Sequence, residues 1–542
     1  MTFGGFLGKH RSLVLCVIAT AIVAAPLGFI RLAPLHDYPS HLARMSILHD
    51  LVHGGGLSRY YEIGSFLIPN VGMDVIVLAL SQVLPVETAA ALFIVFTLFV
   101  TISGADYLHR SLHDADDVTP FLAAALTYNS IFTLGFLNYL FGVGLMLWSV
   151  GWFIRLRERD PRTRFAWGCL AALGLVFAHV AAFGVYAIVV AGLELQANWE
   201  DVWRRPHKAV ARLFMSALPL FLVVGFFYAV SPTSGETGSP ISFGSASFLE
   251  YLRQKISLAS QTVSGHENPQ LDVANTALIG VFVVVAFAFA KLRLVRHSYL
   301  ASGMLCVAFV VAPGALLSGL YLDARLPIAI AFVLAGFAGC AFVERRVRLA
   351  VLSTVIGLLV TRSVVLAQDW SRYDNVGQTF VEAFHCLPTG SILFGARPEL
   401  SLLQSFWRPP IKHFLSYASV TDEVFVPSVF AHRSQQPIRL RPDLQDIYDF
   451  QTTGLVEVED PAAFEAFVNG VRGVMERGSR DVKAEFADKT YVILLEPRKV
   501  GDPRLAGASI VADRELFTIY RLDDGPVGLM SSVPCPESSH DY

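Results

Sequence analysis

Helix-length apolar runs separated by arginine clusters dominate this chain, and that alternation restricts it to a fold assembled in lipid. A bilayer crossing needs about 20 apolar residues with every backbone group bonded inside the helix. Runs of this kind fall at 12–30, 86–107, 118–134, 137–154, 165–178, 180–196, 209–230, 276–291, 299–317, 326–343 and 348–366. The gaps carry Arg110, Arg155/Arg157/Arg159/Arg162/Arg164, Arg204/Arg205/Lys208/Arg212, Lys291/Arg293/Arg296 and Arg345/Arg346/Arg348. Basic residues collect in cytoplasmic loops, so these clusters mark the inside. Lys9, His10 and Arg11 put the N-terminus inside as well. Pro26 interrupts the first run and no small-residue cleavage site follows it, so it reads as a retained helix rather than a signal peptide. The sequence thus predicts eleven crossings with the C-terminal tail outside. The two short runs at 165–178 and 180–196 read as a shallow hairpin, and the run 72–84 as a helix lying at or dipping into the outer face.

Composition agrees. Hydrophobic residues make up 54% and charged residues 16%, which is not the balance of a soluble enzyme. Residues 367–542 carry 17 Lys+Arg and 25 Asp+Glu, net −8, while the part before them is net +5. The expected organisation is a polytopic membrane domain over 1–366, with outward loops 31–71 and 231–275, and an extracytoplasmic domain over 367–542. No basic stripe with interleaved aromatics points to nucleic acid.

With the arginine loops inside, the other polar residues gather outside, where an active site is expected. The most informative stretch is the first outward loop, Arg31-Leu-Ala-Pro-Leu-His-Asp-Tyr-Pro-Ser-His-Leu-Ala-Arg44. Leu42, Met45, Leu48 and Val52 form an apolar stripe at helical spacing over 40–52, Ser40 can cap its start, and Gly54-Gly55-Gly56 ends it. Asp37 stands just ahead, and Pro39 is expected to keep the backbone there extended. A carboxylate is then fixed where the first span leaves the lipid.

This order resembles the GT-C superfamily of integral-membrane glycosyltransferases: a first span, an outward loop opening on an acidic residue, a surface helix, a Pro-led apolar segment, many spans and an outward C-terminal domain. The matching features are Asp37, the helix 40–52, Pro69-Asn70 ahead of Val71–Leu84, and the tail. The nearest likeness is to bacterial multi-spanning members with an Asp-Tyr-Pro-x-His element. Many members have Asp-Glu where this chain has Asp37-Tyr38.

The resemblance implies transfer of a sugar from a polyprenyl phosphate to an envelope acceptor on the outer face of a bacterial inner membrane. That chemistry needs a carboxylate to take the acceptor's proton and cations to hold the departing phosphate. Asp37 fits the base, against the alternative that it only caps a helix. Arg325, in Gly319-Leu-Tyr-Leu-Asp-Ala-Arg-Leu-Pro327, fits the phosphate, against a snorkelling interface arginine. His179, at the apex of the short hairpin, resembles the His or Lys found there in relatives, against a histidine satisfied in the bundle. Asn138 and Tyr139 are substrate-binding candidates beside Tyr128 and Asn129, against an aromatic belt. His41 is a further binding candidate; His36 and Asp74 rank lower.

Asp37 and His41 supply two possible ligands, short of a metal site, and no zinc spacing, phosphate loop or dinucleotide motif appears. No metal or cofactor is expected. The amphipathic segment with Phe248, Leu249, Leu252 and Ile256 reads as a lid or a plain connector. In the tail, Ser391–Gly395, Glu423–Phe430, Thr490–Glu496 and Leu516–Leu522 read as strands and 375–386 and 461–477 as helices, giving an α/β or α+β domain. Cys16, Cys169, Cys306 and Cys340 read as small buried hydrophobes; Cys386 and Cys535, the two in the tail, can form a disulfide. Two other classes compete with the transferase: a flippase or transporter of lipid-linked sugars, which calls for charges at mid-membrane where this sequence places them at span ends, and a non-catalytic membrane scaffold.

Overall fold

The computed structural model describes residues 11–113, 118–235, 241, 247–263, 269–316, 319–342, 344–398, 411–432, 434–452, 454–501, 503 and 505–522. They divide into two compact units. One holds residues up to Phe29, Phe66–Ile76 and Ala91–Asp369; the other holds Ile30–Ser65, Val77–Ala90 and the chain from Trp370.

The first unit is a helical bundle. Among the described residues six helices are long and apolar enough to cross a membrane: Arg11–Phe29, Val86–His109, Leu137–Arg155, Val180–Ala197, Pro206–Val230 and Arg345–Phe384. Of the remaining runs, 118–134, 299–317 and 326–343 form shorter helices, while the helix Pro269–Phe289 over 276–291 has 21 residues. The run 118–134 breaks into Thr119–Ala125 and Ser130–Thr133, because the Asn129 side chain accepts the Phe132 amide and starts a new helix. The runs at 276–291 and 326–343 leave helix early, where Ala290–Leu294 and Ala338–Phe342 pair as antiparallel strands. The short hairpin is longer than expected, with helices Pro161–Ala178 and Val180–Ala197.

Small residues set the tightest packing in this unit. A Cβ on Gly192 would lie 2.4 Å from the Cα of Ala301, so the helices Val180–Ala197 and Tyr299–Val311 meet backbone to backbone. Charges are not confined to span ends. Arg362 is buried within Arg345–Phe384 and donates to the carbonyls of Ala125 and Tyr128 (2.9 and 2.6 Å) and to Asn275 Oδ1 (2.9 Å). Asp106 is buried near the end of Val86–His109, bonded by Arg110 Nε at 2.7 Å and by Ser12 Oγ. The Arg362 bonds and the Ser12–Asp106 bond tie neighbouring helices together. Cys16 is buried, but Cys169 is half-exposed and Cys306 exposed, so these two thiols lie on outward faces rather than in packing.

The second unit has a mixed five-stranded sheet in the order Ala508–Asp513, Phe517–Leu522, Thr490–Leu495, Ile392–Pro398, Val456–Val458. The first two junctions are antiparallel and the last two parallel. The amphipathic helix Pro461–Arg477 bridges the parallel strands, burying Phe464, Phe467, Val468, Val471 and Val474. Asp460 caps its start through the Ala463 amide at 2.7 Å. The expected strand Glu423–Phe430 is not one: Phe425 makes a single bridge to Ile392. The helix foreseen at 375–386 is the end of Arg345–Phe384, which runs unbroken past the expected boundary at 367. Tyr61–Ile63 from the first loop pairs antiparallel with Ile438–Leu440, and Arg439 meets Glu62 at 2.9 Å across that ladder. Cys386 takes part in a disulfide; Cys535 lies outside the described residues.

Candidate functional site

In the second unit the chain reaches Asp37 under tight control. Asp374 Oδ1 accepts the amides of Arg31 and Leu32 at 3.0 and 2.7 Å. Gly377 allows close approach, since a Cβ there would sit 2.5 Å from Leu32 Cδ1 and 3.3 Å from the Phe414 ring. The helix that follows is Tyr38–His53, two residues earlier at its start than the apolar stripe alone indicates, with Pro39 in its first turn, where a missing N–H is harmless. Gly54 closes it in the left-handed region, at φ 71°.

Two expectations about this segment are overturned. Asp37 is not extended: its φ and ψ are −90° and −6°, because the residue that Pro39 restricts is Tyr38, one position later. Ser40 is not the cap but a residue of the first turn, its hydroxyl 3.1 Å from His413 Nδ1 and 3.0 Å from Ser416 Oγ. Asp37 occupies the N-cap position yet makes no side-chain cap hydrogen bond. Its Oδ1 faces His413 Nε2 at 3.6 Å, with the Asp37 side chain 18% exposed and that of His413 6%.

His413 had no sequence signal, lying in Ile411-Lys-His-Phe414 far from Asp37 along the chain. Its neighbours fix it in place. Phe414 stacks on Phe380 (centroids 5.1 Å apart) and on Tyr373 (5.6 Å), while the His413 ring meets Phe430 edge-on at 5.2 Å. His36 meets His413 at 90°, centroids 5.5 Å apart. His41 turns to Phe430, 5.5 Å away. Burial pushes the Tyr38 and Tyr417 phenols above their usual range, so both are neutral groups beside this cluster.

A second cluster lies wholly in the first unit and joins four of the sequence candidates. Arg325 stands in the first turn of the helix Leu322–Phe337, its guanidinium 4.6 Å from the Phe136 ring centre and 5.7 Å from that of Tyr139. The Tyr139 hydroxyl donates to the Arg325 carbonyl at 2.7 Å, and Arg325 Nη1 lies 3.3 Å from His179 Nε2. His179 is extended (φ −168°) between the helices Pro161–Ala178 and Val180–Ala197, and its Nδ1 accepts the Ala181 amide at 3.1 Å. The proton of the neutral ring therefore sits on Nε2, so two donors face each other. Such a pair is built to share an anionic oxygen.

Asn138 serves the backbone here. It accepts the Met73 amide and donates to the Asn70 carbonyl, each at 2.7 Å, while Asn70 Oδ1 accepts the Val180 amide at 2.8 Å. These bonds tie the helix Gly72–Leu80 to the break at His179. Asp74 is buried in the first turn of that helix, and Tyr128 and Asn129 are buried in the packing.

The segment foreseen as a lid is the helix Phe248–Ser260. Its apolar stripe, Phe248, Leu249, Leu252 and Ile256, faces outward. Lys255 points inward instead: Nζ meets Asp323 Oδ2 at 2.9 Å and the Ala312 carbonyl at 2.7 Å, and Tyr251 donates to the Val310 carbonyl. The helix is thus latched to the turn that carries Arg325.

No family model matches the sequence, and comparison with curated proteins finds no match. In shape the chain is similar to ArnT from Cupriavidus metallidurans. The structure of that protein bound to undecaprenyl phosphate matches with 12% identity and a TM-score of 0.53, covering 96% of this chain and 98% of ArnT. Its apo structure matches with 11% identity and a TM-score of 0.50, covering 95% and 98%.

Proposed function

Since the chain has the GT-C fold of the glycosyltransferase ArnT, we propose that it transfers a sugar from a polyprenyl phosphate to a hydroxyl acceptor of the bacterial envelope. Asp37 takes the proton of the acceptor hydroxyl. That oxygen then bonds to the anomeric carbon as the bond from the same carbon to the phosphate oxygen breaks, and the polyprenyl phosphate leaves with the bonding pair. Attack opposite the leaving group inverts the configuration. Within the first unit, the Arg325–His179 donor pair is the candidate for binding a lipid-linked phosphate.

The observation that carries this reading is the state of Asp37, a carboxylate in a helix N-cap position that makes no cap bond and is held toward a buried histidine. A structural cap would use its oxygen on the helix amides. The donor pair at Arg325 and His179 gives independent support, and the undecaprenyl phosphate of the ArnT structure fits the same ligand class. Arg362, a buried charge of the kind a transporter reading calls for, donates to two carbonyls and to Asn275, which suits a structural tie between helices. The arginine distribution in the sequence supports putting the reaction on the outer face of the inner membrane.

The test is mass spectrometry of envelope glycans and lipid-linked sugars from cells with and without the gene. The reading expects one sugar missing from one acceptor while its polyprenyl-phosphate donor accumulates. Unchanged glycans together with unchanged lipid-linked sugars would refute it.

A further inference from the structure

We infer that the cleft between the helices Leu137–Arg155, Pro161–Ala178 and Val180–Ala197 binds an anionic phospholipid, with an acyl chain in the cleft and the phosphate on the arginine loop 155–164. The cavity there has a volume of about 230 Å³, and Trp148, Trp152, Phe153, Trp167, Leu170 and Gly174 are among its walls, all within the first unit. An apolar cavity of roughly 150 Å³ already admits benzene, so this one has room for a length of hydrocarbon chain. Trp152, Trp167 and Leu170 are exposed, so the cleft opens sideways, where lipid would surround the bundle.

The walls are held by contacts of their own. Trp148 stacks on Tyr107 with centroids 4.3 Å apart, and its Nε1 donates to Ser103 Oγ at 3.2 Å. Trp152 and Trp167 stack on each other at 5.0 Å, each toward the arginine end of its helix. Tryptophans at that level mark the headgroup boundary of a bilayer.

The charge at the mouth decides the occupant. The loop 155–164 carries five arginines against Glu158 and Asp160. Asp160 is taken up as a helix cap, accepting the Arg162 and Thr163 amides. Arg155 donates to Ser111 Oγ and the Arg110 carbonyl, and Arg164, which lines the cleft, is neutralised by Glu194 at 2.9 Å. The side chains of Arg157, Arg159 and Arg162 are half-exposed or exposed and have no hydrogen bond or ion pair among the described residues. Three uncommitted guanidinium groups beside an apolar cleft match a phosphodiester head attached to an acyl chain, because guanidinium donates paired N–H groups to phosphate oxygens. A zwitterionic lipid brings a competing cation, and a wholly apolar occupant would leave the three charges unused. By the arginine distribution this leaflet is the cytoplasmic one, opposite to the face proposed for sugar transfer, and the claim does not depend on that transfer.

The test is native mass spectrometry of the full chain in detergent, titrated with dioleoyl phosphatidylglycerol and, separately, with dioleoyl phosphatidylethanolamine. The expected result is one retained phosphatidylglycerol per chain, bound about 10–100-fold more tightly than phosphatidylethanolamine, since each arginine near an anionic headgroup contributes about a fivefold preference. Arg157→Gln/Arg159→Gln/Arg162→Gln should remove that preference. Gly174→Leu should weaken both lipids roughly 10-fold, because a Cβ on Gly174 meets nothing within 4 Å and the longer side chain takes up the space of the acyl chain. The triple glutamine variant changes only the loop side chains at the mouth and keeps the result readable if Gly174→Leu fails to fold. Equal binding of the two lipids, or a preference that survives the glutamine changes, overturns the site, as does unchanged phosphatidylglycerol binding by folded Gly174→Leu. Displacement of the bound phosphatidylglycerol by equimolar polyprenyl phosphate would assign the cleft to that lipid's tail and overturn the proposal as well.

Discussion

Lys255→Met is the substitution that most sharply probes how the first unit is held together. Lys255 and Asp323 are paired at 2.9 Å with side chains only 3% and 5% exposed, and Nζ also bonds the Ala312 carbonyl. Methionine matches the length and removes the charge. Asp323 is then left as a buried carboxylate without its cation, and breaking a buried pair from one side costs about 3–5 kcal/mol. Removing Asp323's charge too, in Lys255→Met/Asp323→Asn, should return about 0.5–3 kcal/mol of that loss as coupling energy. Unfolding of the detergent-solubilised full chain measures both, and limited proteolysis at 247–263 reports whether the latched helix comes away. A Lys255→Met variant within about 0.5 kcal/mol of wild type, or a double variant whose loss equals the sum of the singles, would refute the latch.

Two further outcomes follow from the same unit. Arg325→Lys keeps the charge but loses the planar fork stacked on Phe136 and Tyr139, and should weaken polyprenyl-phosphate binding about 10–100-fold in a native mass-spectrometric titration; an unchanged dissociation constant contradicts the phosphate role. Gly192→Ala drives a methyl against the backbone of Ala301 and should destabilise by about 1–3 kcal/mol, whereas Gly184→Ala on the same helix meets nothing within 4 Å and should be neutral or slightly stabilising. Equal unfolding temperatures for the two alanine variants would rule out the close crossing.

The apolar runs and the candidates Asp37, Arg325, His179 and Tyr139 could be named from the sequence because each rests on a local pattern: hydrophobic periodicity, an acidic residue after a first span, or a polar residue at a break between spans. His413 was not. Its place is set by the stacking of Phe414 on Phe380 and Tyr373, contacts formed only when the chain from Trp370 folds. Arg362 was hidden for a similar reason, since the carbonyls of Ala125 and Tyr128 that satisfy it are exposed by a helix break rather than by any feature of its own run. The outward stripe of Phe248–Ser260 shows the opposite error: periodicity gave the amphipathic helix but not which side faces the protein, and the buried Lys255 decided that. The strands Val456–Val458 and Tyr61–Ile63 are only three residues each, too short for alternation to register.

The central claim is that Asp37 acts as the base of a sugar transfer, and Asp37→Asn tests it most directly. Asparagine keeps the size and caps helices as well as aspartate, and Asp37 makes no side-chain cap bond to lose, so the variant should fold and insert normally. Purified wild type and variant would be given a polyprenyl-phosphate sugar and envelope acceptors. The account predicts that transfer falls by about 10²–10⁴, equivalent to roughly 3–5 kcal/mol in barrier. Turnover by Asp37→Asn equal to wild type, at matched expression, would contradict it.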